Sequence, residues 1–185
     1  MPRARRRLPL LLDALAFAAD KHRRQRRKDR HASPYINHPI ALAQVLAGEG
    51  RVTDERILAA ALLHDTIEDT NTTFNELKRH FGRRIARIVL EVTDDKRRRK
   101  HTRKRLQVEH AAQLSRSAKL VKLADKICNL RDLNHRPPVG WNKRRRREYF
   151  DWAKQVIDRL RGAHAGLERA FDAAYARRPA VRKSR

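Results

Sequence analysis

Residues 57–70 read ILAAALLHDTIEDT: an apolar run, then a histidine and three carboxylates, His64, Asp65, Glu68 and Asp69. The run is apolar nearly all round, as a buried helix is, so it predicts a helix packed among other helices. At about 100° per residue, the four polar side chains span about 140° and share one face of such a helix. A helix end dipping into solvent would carry similar residues, but not after so apolar a run. Buried carboxylates are costly unless they are paired or bind a cation. The stretch therefore reads as a charged site delivered into an apolar interior.

Outward from it, helical periodicity dominates and nothing reads convincingly as a strand. A helix is expected from about Leu8 to Arg26, with Leu11, Leu12, Leu15, Ala18 and Ala19 on one side. It gives way to the basic loop RRKDRHASPYINHP, confined by Pro34 and Pro39, and Pro39 suits the first turn of a helix running through Ile40 to Leu46. Gly48 and Gly50 end that helix. Thr72 or Thr73 caps FNELKRHF, and Gly82 separates it from RRIARIVLEVTDD. A polar, cationic stretch from Asp95 to Arg105 precedes a helix at 119–133, KLVKLADKICNLRDL. HRPPVG is a turn, and helices follow at about 142–161 and 163–176. The expectation is one all-α domain over residues 1–178, with about eight to ten helices, and a basic, disordered tail at 179–185.

Composition sets the outer limits. A chain of 185 residues can bury roughly two-thirds of its unfolded surface, so it needs no staples. The single Cys128 excludes an internal disulfide and no apolar run approaches the roughly 18 residues of a membrane span, which suits a cytoplasmic protein. The leucines after MPRARRR lack a clear cleavage site and continue into helical periodicity. A net charge of +25 predicts anionic partners without naming one.

Two further residues give the charged face its context. Asp125 lies in KLVKLADKICNL among apolar neighbours, with Asn129 one turn later and Lys122 near enough for a salt bridge. His38 stands in YINHP just before a helix start. Two imidazoles and two carboxylates without thiolates suit manganese, iron, zinc or magnesium, with positions left open for water and substrate.

Taken together, AADKHRRQRRKD, PYINHP, AALLHDTIEDT, the FG of HFGRRIARIVLEVTDDK, RKRLQVE, KLVKLADKICNLRDLN and EYFDWA resemble the HD-domain hydrolases of the RelA/SpoT family. The likeness covers roughly residues 12 to 175 and is greatest to the short single-domain branch, the metazoan SpoT homologues or small alarmone hydrolases. It implies one manganese ion per chain and hydrolysis of the 3′-diphosphate of guanosine 3′,5′-bis(diphosphate), ppGpp, to GDP and pyrophosphate. By motif, His38, His64, Asp65 and Asp125 would be metal ligands, and Glu68 and Asp69 the catalytic acidic pair. Arg27, Lys28, Lys100, Asn129 and Tyr149 would meet the nucleotide, a guanidinium stacking on guanine and an ammonium meeting phosphate. With no room for synthetase or regulatory regions, the resemblance implies hydrolysis without synthesis. Two features depart from the family: the loop DRHASP lacks its usual glycine, and KRRRKHTRKR is unusually basic.

Two other readings are open. The metazoan branch also admits NADPH, whose 2′-phosphate offers a similar ester. A different class, a nucleic-acid-binding protein with an incidental HD site, is raised by RARRR, HRRQRRKDR, KRRRK and KRRRR. Against it stand the absence of a recognised reading motif and an aromatic content of 5%, and weak, nonspecific binding is the expectation.

Overall fold

The computed structural model describes residues 7–180, so all but the first two residues of the expected tail at 179–185 and most of the leading RARRR cluster lie outside the described residues. Among the described residues the protein is all-α, in order α1 (Arg7–Lys21), α2 (Asn37–Gln44), α3 (Glu55–Leu63), α4 (Thr66–Asp69), α5 (Phe74–Val92), α6 (Lys100–His110), α7 (Arg116–His135), α8 (Lys143–Asp158) and α9 (Ala165–Ala176). A π-helical turn, Val45–Glu49, prolongs α2 to the Gly50 cap.

The two inner helices are α3 and α7. α3 packs on α1, α2, α5 and α7, while α7 also contacts α8 and α9. Ala59, Ala60, Ala61 and Leu63 of α3 are fully buried, as are Leu123, Ala124, Ile127 and Leu130 of α7. Small side chains let α1 approach α3 closely: its fully buried residues are Ala14 and Ala18, one turn apart. This rotates α1 relative to the expected face, and Leu12 ends 54% exposed.

Three boundaries differ from expectation, each for a physical reason. α1 stops at Lys21 instead of Arg26, because continuing would line up Arg23, Arg24, Arg26 and Arg27 with no carboxylate between them. Instead the Gln25 side chain donates from Nε2 to the Asp69 carbonyl at 2.5 Å, drawing the basic loop onto α4. The apolar helix is not continuous through Asp69: it ends at Leu63, and Asp65 (φ −96°, ψ −2°) separates it from the single turn α4. Side chains close the break, as Thr66 Oγ1 donates to the Leu63 carbonyl at 2.7 Å and His64 Nδ1 lies 2.9 Å from that of Ala61. Finally, much of the stretch expected to be a polar connection is α6, which has no fully buried residue and hence no apolar period to read.

Elsewhere the punctuation follows the sequence. Thr73 Oγ1 accepts from the Glu76 amide at 3.1 Å as the cap of α5, and Gly82 (φ 82°, ψ 160°) kinks that helix. The loop without its glycine turns instead at Ala32, whose φ of 46° lies in the left-handed region.

Candidate functional site

The interruption after α3 carries His64 and Asp65 out of the core and faces them toward the first turn of α2 and the middle of α7. His38, His64 and Asp65 each offer a ligand atom, all within 4.8 Å of one another. His38 Nε2 lies 3.3 Å from Asp125 Oδ1, which brings the fourth expected ligand beside the other three. Both histidines are buried.

This donor set fits a divalent cation. With its Nδ1–H donated to the Ala61 carbonyl, His64 turns Nε2 inward. That nitrogen is 2.9 Å from Asp65 Oδ2 but without hydrogen-bond geometry, and it has no other partner. His38 Nδ1 is likewise buried and unpartnered. Two inward-facing imidazoles beside two carboxylates form an oxygen and nitrogen set without sulfur, as hard and borderline divalent metals require.

Electrostatics binds the group together. Burial would raise the Asp65 carboxyl, but His64 and His38 outweigh it and hold it well below the usual range. Asp125 is also held low: burial opposes this, and Lys126, His38 and His64 prevail. Burial would keep His64 neutral, yet Asp65 and Asp125 push it up to about 8. The cation paired with Asp125 is Lys126, at 2.9 Å, and not Lys122, whose Nζ donates to the Val92 carbonyl at 2.9 Å.

Glu68 and Asp69 flank the cluster from α4 in different surroundings. Glu68 Oε2 accepts from the Asp94 amide at 3.0 Å and Oε1 lies 3.4 Å from Arg103 Nη1. Burial, with Asp94, Asp65 and Asp69 nearby, pushes its carboxyl up to about 7. Asp69 pairs with Lys96 and accepts from the Tyr35 hydroxyl at 3.2 Å.

A cleft with two lobes opens over these residues. The outer lobe, about 350 Å³, is lined by Arg27, Lys28, Asn37, Asp132 and Trp141. The inner lobe, about 220 Å³, holds the His and Asp cluster with Glu68 and Lys122. Arg27, Tyr35, His38, Asp69, Asn129 and Tyr149 line both. Arg27 is oriented by Asp132, at 2.5 Å, and Asn129 donates to Asp125 Oδ1 at 2.6 Å. Tyr149 is a wall of the cleft and also packs on the core, its ring 5.1 Å from Trp152. Lys100 lines neither lobe: it opens α6, with Nζ 5.9 Å from the Trp141 ring.

Sequence reading passed over several residues. Tyr35 donates to Asp65 Oδ2 at 2.5 Å, and its place three residues before His38 was the available signal. Lys126, next to Asp125, sits 4.5 Å from the Trp152 ring. Arg103 and Gln107 arrive on α6, within the stretch RKRLQVE, to which the sequence assigns no role at the site.

Comparison with known proteins gives the site a setting. Residues 14–153 match the HD domain family. The guanosine-3′,5′-bis(diphosphate) 3′-pyrophosphohydrolase MESH1 of Xenopus tropicalis is 56% identical over 163 residues, covering 88% of this chain and 91% of the relative. MESH1 of Homo sapiens is 57% identical over 161 residues, 87% of this chain and 90% of the relative. A solved structure, of a metazoan ortholog of SpoT that hydrolyzes ppGpp and plays a role in starvation responses, superposes with a TM-score of 0.89 at 49% identity, covering 93% of this chain and 97% of that one.

Proposed function

This chain belongs to the HD-domain family, among its short metazoan SpoT-like hydrolases, and from that premise we propose that it hydrolyses ppGpp to GDP and pyrophosphate with a divalent metal, manganese. The observation that carries the reading is the cleft itself: a His and Asp cluster in its inner lobe opens directly onto an arginine- and lysine-lined outer lobe.

His38, His64, Asp65 and Asp125 would hold the metal, which when bound supplies a more acidic water and a polarised phosphoryl oxygen. The remaining work falls to the chain. Arg27, steadied by Asp132, and Lys28 would bind the nucleotide in the outer lobe, while Tyr149 and Asn129 wall the junction between lobes. Glu68 would take the proton from the attacking water, a role suited to a buried carboxyl near 7. The bond from that oxygen to phosphorus forms and the bond from phosphorus to the ribose 3′ oxygen breaks. That proton would pass from Glu68, through a water held by Asp69, which lines both lobes, to the departing 3′ oxygen. Pyrophosphate carries the new oxygen away.

The test is chromatography of ppGpp incubated with manganese-loaded and with chelator-treated protein. GDP and pyrophosphate should form only with the metal. Absence of GDP with folded, loaded protein would sink the reading, and release of phosphate from NADPH alone would replace it.

A further inference from the structure

We propose that the inner end of the cleft, at Lys122, seats the outer phosphoryl group of the 3′-diphosphate and makes the site select a diphosphate over a monophosphate. The inference rests on the proposed ppGpp hydrolysis. α7 places two buried lysines one turn apart, Lys122 and Lys126, and both line the inner lobe. Their situations differ sharply. Lys126 is neutralised by Asp125 at 2.9 Å and covered by the Trp152 ring. Lys122 is 7% exposed, and among the described residues it has no carboxylate within ion-pair distance; its one hydrogen bond goes to the Val92 carbonyl at 2.9 Å. An ammonium has three donors, so two are left for something not supplied by the fold. Asp125, Asp94 and Glu68 attract it only from beyond contact, so its burial is incompletely compensated, and an anionic ligand removes that cost.

Position decides which part of a ligand reaches it. Lys122, Val92, Val121, Gln107 and Trp152 line the inner lobe and none of them lines the outer one, so this end lies away from the nucleoside. Beside it Gln107 donates to Asp94 at 2.6 Å and leaves Oε1 buried and unpartnered, an acceptor suited to a water bound with the anion. The reaction removes the diphosphate whole. Its outer phosphoryl group therefore stays attached to the reacting phosphorus and needs a seat beyond the metal ligands, and the inner-lobe cation with no carboxylate in contact is Lys122.

Lys122→Met, near in length and uncharged, tests this in manganese-loaded protein of verified metal content. Turnover is compared on ppGpp and on guanosine 5′-diphosphate 3′-monophosphate, and the affinities of inorganic pyrophosphate and of orthophosphate are measured by calorimetry. The expected loss in kcat/KM is about 10²-fold on ppGpp and less than about threefold on the monophosphate, the scale of one charge-assisted contact. Pyrophosphate binding should weaken about tenfold or more and orthophosphate binding should not. Equal losses on both nucleotides, or unchanged pyrophosphate binding, would overturn the assignment. Should Lys122→Met fail to fold, Lys122→Gln keeps a donor for the Val92 carbonyl and the same comparison applies. The calorimetric arm stands apart from turnover: inactive wild-type protein would count against ppGpp hydrolysis, while charge-dependent pyrophosphate binding would still report on the seat.

Discussion

Asp65 and Glu68 are three residues apart, yet their surroundings drive their carboxyls in opposite directions. Asp65, beside two imidazoles, is held ionised, and Asp65→Ala should lower metal content and turnover together, measured by metal analysis and single-turnover kinetics. Glu68→Gln should keep the metal while the rate falls about 10²- to 10⁴-fold. The same substitution has a signature in stability. A carboxyl raised from 4.5 to about 7 favours the protonated folded state, so its contribution is complete below about 4.5 and is lost as pH rises through 7. In metal-free protein, Glu68→Gln should therefore be nearly neutral at pH 4 and stabilising by ~1–3 kcal/mol at pH 8, read by denaturant titration at the two values. Ala32 yields a smaller effect. Its left-handed φ costs ~1 kcal/mol that glycine avoids, against a somewhat smaller gain in unfolded-state entropy. Ala32→Gly should raise stability by less than ~1 kcal/mol and leave kcat alone. The residues that sequence could name were those whose type is unusual for their setting, such as Asp125 in an apolar helix. Tyr35 and Lys126 escaped because a tyrosine or a lysine in a basic chain arouses no such suspicion.

At the scale of elements, the decisive feature is the break between α3 and α4. A continuous helix also puts His64, Asp65, Glu68 and Asp69 on one side, which is why the face was legible although the interruption was not. What makes the interruption is side-chain bonding to the last carbonyls of α3, and sequence shows the threonine without showing where its hydroxyl goes. Thr66→Val keeps the shape and removes the bond to Leu63, leaving a buried carbonyl unsatisfied. The expected cost is ~1–3 kcal/mol in thermal or denaturant unfolding, with a fall in metal affinity because the HD pair loses its mooring. Gly82 was readable for the opposite reason: a glycine between two amphipathic stretches is a local signal for a local event.

Across the whole molecule, apolar periodicity sufficed to predict an all-α fold, and no helix among the described residues is long and apolar enough to cross a membrane. Charge was the less informative quantity. Some of the cations are paired locally, Lys96 with Asp69, Arg103 with Glu68 and Arg27 with Asp132. The net charge of the chain is +25, so raising salt from about 0.05 to about 0.5 M should screen self-repulsion and raise Tm, while increasing KM for a nucleotide bound by its phosphates. Melting curves and initial rates across the same salt series check both halves. The exposed situation of α6 has a consequence in time as well as in space. Without a fully buried residue, it is the long helix least anchored to the core, yet it holds Arg103 against Glu68 and Gln107 against Asp94. Its amides should exchange with deuterium well before those of α7, and bound pyrophosphate should slow them. Slower exchange in α6 with pyrophosphate bound would mark the inner end of the cleft, beside Gln107, as the side by which that product leaves.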